Sequence, residues 1–237
     1  MQPHSIYTKM LSHFGAQNWW PVTGKGAAVP SYIARKKLTE NQKFEIMTGA
    51  ILTQNTAWNN VMRALENLNK EGLLDCTKIT RTNKNKIAKL IRPSGYFNMK
   101  AEKLKRFAQW LDKNYKGKPS RFFNSGKPLG QLRSELLAQH GIGNETADSM
   151  LLYAGNLPSF VVDAYTMRFM SRFYGLSGHG YVEVKSFFER SLPQDAQIYN
   201  EMHALFVELG KNYCKKSNPK CGECCLRNGC KSAGAVL

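Results

Sequence analysis

The chain has 237 residues, 42% of them hydrophobic, which is enough to bury a sizeable core in one large or two small domains. No apolar run approaches the length of a membrane span, and the N-terminal MQPHSIYTKM lacks the apolar stretch of a signal peptide, so no membrane partner is expected and the location is read as cytoplasmic or nucleoid-associated. Lys and Arg number 34 against 17 Asp and Glu, a net charge of +17 that points to a polyanionic partner, nucleic acid first.

The apolar residues repeat at three and four, not at two, so an all-α chain is expected. Thr39 and Gln42 form a capping box ahead of Phe44, Met47, Ile51 and Leu52. Trp58, Val61, Met62, Leu65 and Leu68 make the next apolar stripe. Ala101, Leu104, Ala108 and Leu111 make another. Leu129, Leu132, Leu136 and Leu137 lead into Gly141-Ile142-Gly143, and a further helix starts at Asn144. Asp163 reads as the N-cap of a helix through Phe169, and 196–211 as one more helix. The basic residues recur along the chain, in Arg35-Lys36-Lys37, 78–89, 100–105 and 113–118, which suits a folded basic surface better than a tail.

Two segments carry chemistry. In the first, the glycines of Gly141-Ile142-Gly143 allow positive φ and leave backbone N–H groups uncovered at a helix start, where an anion such as a DNA phosphate is favoured. Asp163 follows Gly143 by twenty residues, behind Val161 and Val162. A glycine-capped helix pair with an ordinary N-cap aspartate accounts for the same residues without function. In the second, five of the six cysteines fall between Cys214 and Cys230. Cys214, Cys221, Cys224 and Cys230 have the spacing C-x6-C-x2-C-x5-C. Four thiolates at this spacing suit tetrahedral zinc or an iron–sulfur cluster about equally; disulfides are the third reading. Cys225 is read as a bystander and Cys76 as a structural thiol.

These two segments, in this order, resemble the helix-hairpin-helix DNA glycosylases of the endonuclease III superfamily. Gln54 in ILTQNTAW and the segment GYFNMKAEKL (95–104) extend the resemblance to nearly the whole chain. The resemblance implies two helical domains, a central one over 39–153 and a discontinuous one made of 1–38 and 154–237, with the active cleft between them. It implies a [4Fe–4S] loop over 214–230 with Cys214, Cys221, Cys224 and Cys230 as ligands, Asp163 as the catalytic carboxylate, and Gly141, Ile142 and Gly143 as the DNA-binding turn. Gln54 would fill the gap left by an extruded base. The partner would be double-stranded DNA with a damaged base, and the protein is expected to be a monomer.

Where lyase-active members carry a hairpin lysine, this chain has Glu145 in GIGNETA. A carboxylate cannot form the Schiff base that leads to strand cleavage, so a monofunctional glycosylase is expected. GIGNETADSMLLYA, Tyr165 and the Trp19-Trp20-Pro21 run look most like the 3-methyladenine glycosylase branch. Alkylated purines are cationic, and Trp58, Trp19 and Trp20 are the candidate pocket walls. A packing role competes for each of the three. The alternatives are a uracil or thymine-mismatch glycosylase, a non-catalytic lesion-binding protein, and a lyase working through another lysine such as Lys211.

Overall fold

The computed structural model describes residues 1–32 and 37–233; Arg35 and Lys36 of the basic run lie outside the described residues. The helices in chain order are α1 (Pro3–Phe14), α2 (Glu40–Leu52), α3 (Trp58–Lys70), α4 (Cys76–Arg81), α5 (Lys84–Leu90), α6 (Phe97–Tyr115), α7 (Pro119–Phe123), α8 (Leu129–Leu137), α9 (Asn144–Ser149), α10 (Ala164–Phe169), α11 (Tyr181–Ser191) and α12 (Ala196–Asn212). Both α9 and α10 run on into a π-helical turn, Met150–Ala154 and Met170–Tyr174. Strands β1 (Val22–Thr23) and β2 (Pro30–Ser31) pair antiparallel, with Val22 opposite Ser31. Two residues per strand are too few to show a period in sequence. The all-α expectation holds, and each helix expected from periodicity is present.

Local chemistry accounts for several of these boundaries. Thr39 and Gln42 close the capping box at the start of α2, Oγ1 of Thr39 accepting from the Gln42 amide at 3.2 Å. Pro3 opens α1 and Pro119 opens α7, where a missing N–H costs nothing. Asp195 caps α12 by accepting from the amides of Gln197 and Ile198.

The chain divides into two compact units, one of residues 20–157 and one of 1–19 with 158–237. Residues 20–32, which the resemblance assigns to the discontinuous domain, cluster with the central unit. Glu45 of α2 is one tie: its buried carboxylate accepts from N and Oγ1 of Thr23, at 2.9 and 2.6 Å, and so holds β1 to the helix, while Asn69 of α3 donates to the carbonyls of Ala27 and Ala28. The core of the central unit is aliphatic with a few phenylalanines, among them Phe44, Ile51, Leu65, Leu104 and Phe107, each essentially out of solvent. Burial of one such side chain contributes about 1.5–3 kcal/mol. The other unit has an aromatic core. Phe160 stacks on Phe188 at 4.6 Å, and Phe169 stacks on Phe173 at 4.9 Å and leans on Phe206 of α12 at 4.5 Å.

Candidate active site and cysteine loop

Val161 and Val162 are buried and anchor the irregular segment that ends at Asp163. Asp163 has φ −117° and ψ −174° and caps α10, as its place in the sequence predicts. Its Oδ1 accepts from N and Oγ1 of Thr166, at 2.8 and 3.0 Å. Its Oδ2 faces Nε2 of His203 on α12, 3.6 Å away. Burial pushes the carboxyl up, but the facing His203 and the two bonds from Thr166 outweigh it and hold Asp163 below the usual carboxylate range. The side chain is 12% exposed, so the carboxylate is mostly buried with a small part open to solvent.

The hairpin lies in the central unit between α8 and α9. Gly141 has φ +77°, so the backbone demands glycine, and a Cβ there, 2.4 Å from Cε of Lys103, would push that flexible side chain aside. Gly143 differs from expectation: its φ is −97° and nothing approaches a Cβ there, so positive φ is required only at Gly141. Ile142 is buried and plugs the turn into the core. Arg133 of α8 braces the two helices, reaching both oxygens of buried Asp148 at 2.9 and 3.0 Å and Oδ1 of Asn144 at 2.8 Å. Glu145 is exposed in the first turn of α9.

Gln54 packs onto this hairpin. Its Nε2 donates to O of Gly141 and Oγ1 of Thr146, at 2.9 and 3.0 Å, and its Oε1 accepts from Lys103 at 2.7 Å. Beneath it, buried Lys100 donates to O of Leu52, Oγ1 of Thr56 and O of Ser94, at 2.7, 2.6 and 2.7 Å. That ammonium caps the end of α2 and ties the Gln54 loop to the 92–95 turn. Burial, helped by nearby Lys103, pushes the Lys100 amine down to about 8.

The three tryptophans do not share one unit. Trp20 meets Trp58 edge-to-face at 5.0 Å and leans on Tyr153 at 5.2 Å, its indole lying over Gly49, all within the central unit. Trp19 belongs with Asp163 in the discontinuous unit, where α12 holds it from two points. Asn200 donates to its carbonyl at 2.7 Å, and Nζ of Lys211 lies 5.9 Å from its ring centre.

Cys214, Cys221, Cys224 and Cys230 all line one cavity of about 180 Å³; Cys225 does not. Among the described residues no three His, Cys, Asp or Glu side chains converge on a single metal ion. The loop is fastened to α10 and its π-turn. Arg168 donates to the carbonyls of Cys214 and Gly210, at 2.7 and 3.2 Å. Arg172 donates to those of Lys215 and Lys216, at 2.6 and 2.9 Å, and reaches Sγ of Cys214 at 3.4 Å. Cys76 lies elsewhere, buried, its thiol donating to O of Ala108 and pushed up to about 12 by burial.

Sequence reasoning did not single out His203, Lys100 or Lys103. The only available signal for the lysines was their place in GYFNMKAEKL, and His203 carries no motif.

Comparison with known proteins identifies the family and the fold. Residues 48–194 match the HhH-GPD superfamily base excision DNA repair protein family. The Methanocaldococcus jannaschii protein named "Putative DNA repair glycosylase MJ1434" is 41% identical over 230 residues, which span 97% of this chain and 96% of that one. The Helicobacter pylori 3-methyladenine DNA glycosylase MagIII, solved with 1,N6-ethenoadenine, superposes with a TM-score of 0.70 at 26% identity, covering 89% of this chain and 98% of that one. Endonuclease III trapped as a covalent DNA intermediate shares the fold, with a TM-score of 0.77 at 18% identity over 100% of this chain and 99% of that one. The chain therefore belongs to the HhH-GPD superfamily of base excision DNA repair proteins, and is a DNA N-glycosylase of the endonuclease III type.

Proposed function

We propose that the protein is a monofunctional glycosylase that hydrolyses the N-glycosidic bond of alkylated purines such as 3-methyladenine and 7-methylguanine in double-stranded DNA, acting as an intracellular monomer. The ionised Asp163 at the start of α10 carries this reading. When the bond from C1′ to the base nitrogen breaks, the electron pair leaves with the base and positive charge develops on the sugar. A fixed carboxylate beside it stabilises that charge, and water then bonds to C1′ and gives up a proton to leave an abasic site. An alkylated purine is already a good leaving group, so no strong general acid is required.

Glu145 supports hydrolysis without strand cleavage, since it stands exposed where a Schiff-base lysine would be needed. Lys100, the amine pushed down to about 8, is buried and committed to three acceptors, which suits a clamp rather than a nucleophile. Trp19, in the same unit as Asp163, supplies an aromatic face over which the Lys211 ammonium lies. A cationic purine would take over that face, a contact worth about 0.5–2 kcal/mol. Trp20 and Trp58 are the candidate aromatic contacts from the central unit. Gly141, Ile142 and Gly143 would hold the DNA backbone, and Gln54 would enter the gap left by the base.

The cysteine loop fits a [4Fe–4S] cluster. Cys214, Cys221, Cys224 and Cys230 line one cavity, which is where a four-iron cluster taking one thiolate per iron would sit. When bound, the cluster supplies a covalent staple for a segment too short to build its own core. The chain's part is to present four thiolates and, through Arg168 and Arg172, to fix the loop on α10.

The test is base release. Purified protein is incubated with methylated DNA and, separately, with uracil and thymine-mismatch duplexes, and freed bases are identified by chromatography. Release of 3-methyladenine or 7-methylguanine without nicking is the expected result. Release of uracil or thymine alone would overturn the pocket assignment, and borohydride trapping on abasic DNA would overturn the monofunctional one. Asp163→Asn should abolish release while leaving duplex binding in place.

A further inference from the structure

The two oxygens of Asp163 have different surroundings. Oδ1 is spent on capping α10, accepting both bonds from Thr166. Oδ2 takes no part in the cap and faces Nε2 of His203 at 3.6 Å. A carboxylate held by one oxygen can still swing, because rotation about its last bond is soft. A buried anion also needs compensating charge or dipole on each side. The helix N-terminus serves one oxygen, and the imidazole is placed to serve the other.

Placement of His203 is set by the contact between α12 and α10. His203 and Gly210 are seven residues apart on α12, two helical turns, and so lie on the same face. At Gly210 the two helices are so close that a Cβ would lie 2.2 Å from Cδ1 of Tyr165, and Arg168 donates to the Gly210 carbonyl. This contact fixes the register of α12 against the helix that Asp163 starts. His203 is itself buried, 8% exposed.

We propose that His203 is a positioning residue for glycosidic-bond cleavage: through Nε2 it holds Oδ2 of Asp163 and keeps the carboxylate in the one orientation that meets the developing charge on the sugar. The inference rests on Asp163 being the catalytic carboxylate. In free protein the contact is slightly long, as such contacts commonly are before substrate closes the site.

The experiment compares His203→Phe, which keeps bulk and loses the nitrogen, with His203→Gln, which returns an amide nitrogen near the position of Nε2. His203→Met replaces the Phe variant if that variant does not fold. The probe is a fluorescent duplex with a single 7-methylguanine, or uracil if that is the base the parent releases. Single-turnover release and duplex Kd are measured separately. The expected result is a loss of about tenfold or more in the release rate for the apolar variant, with Kd within about twofold and most of the rate restored in the Gln variant. Parent-like release from the apolar variant would overturn the proposal. So would equal losses in both variants with a matching loss of thermal stability, the mark of packing alone. Asp163→Asn is run alongside: if it releases base at the parent rate, the reading of Asp163 fails, whereas an inactive Asp163→Asn beside an unaffected His203→Phe sinks only the role of His203.

Discussion

Lys100→Met would remove an ammonium that satisfies Leu52 O, Thr56 Oγ1 and Ser94 O, while keeping much of the side chain's length. Thr56 also donates to Ser94 O, so that carbonyl keeps one partner. The Leu52 carbonyl, at the last turn of α2, loses its lysine. A buried acceptor left in this way costs about 1–3 kcal/mol. Removing the buried charge returns part of that, so a net loss of about 1–2 kcal/mol is expected at pH 7. The pH dependence is the sharper test. Burial holds the folded-state pKa at about 8 against 10.5 for the ordinary amine. Between those values the unfolded chain binds more protons than the folded one, so this group adds stability as pH rises. The separation corresponds to about 3 kcal/mol when fully developed. Urea unfolding of parent and variant at pH 7 and at pH 10 should therefore show a gap that widens with pH. A gap that stays constant or narrows would refute the account of Lys100 as a buried, desolvated ammonium clamp.

Three further outcomes follow from the geometry. Gly141→Ala should cost about 1–2 kcal/mol from its positive φ, and should weaken duplex binding by displacing Lys103 from Gln54, whereas Gly143→Ala, at φ −97° with open space, should cost only the smaller N-cap preference for glycine over alanine, about 0.5 kcal/mol in urea unfolding. Gly210→Ala should cost about 1–3 kcal/mol by forcing α12 off Tyr165, read as a lower unfolding midpoint together with slower base release. Cys224→Ser should abolish iron and sulfide incorporation measured per chain, while Cys225→Ser should retain both, because of these two neighbours Cys224 alone lines the cavity.

What could be read from the sequence was local chemistry. The capping box at Thr39 and Gln42, the N-cap role of Asp163 and the positive φ at Gly141 each depend on a few neighbouring residues. The four cysteines lie within seventeen positions, so a shared cavity needed no long-range pairing. The tryptophans were harder. Trp19 and Trp20 are adjacent in sequence, yet one is held by α12 and the other packs on Gly49 and Trp58, a division made by tertiary packing alone. His203 lay beyond reach for the same reason. It stands forty residues from Asp163 in an amphipathic helix, where nothing local separates a working histidine from a packed one.

One element joins the parts of the discontinuous unit. Asp163 caps the start of α10; Tyr165 in its first turn meets Gly210; Arg168 near its end, and Arg172 in the π-turn beyond, hold the backbone of the cysteine loop. From Asp163 to Arg172 is only nine residues, little more than two helical turns, too short for one end to shift freely without the other. The cysteine loop is therefore mechanically continuous with the carboxylate. Its bonds to Arg168 and Arg172 help fix the axis of α10, and that axis sets where Asp163 points. A loop that serves only to hold the chain together at a distance would not need two arginines spent on backbone carbonyls beside the helix that Asp163 starts. Fixing that helix is the role that accounts for both.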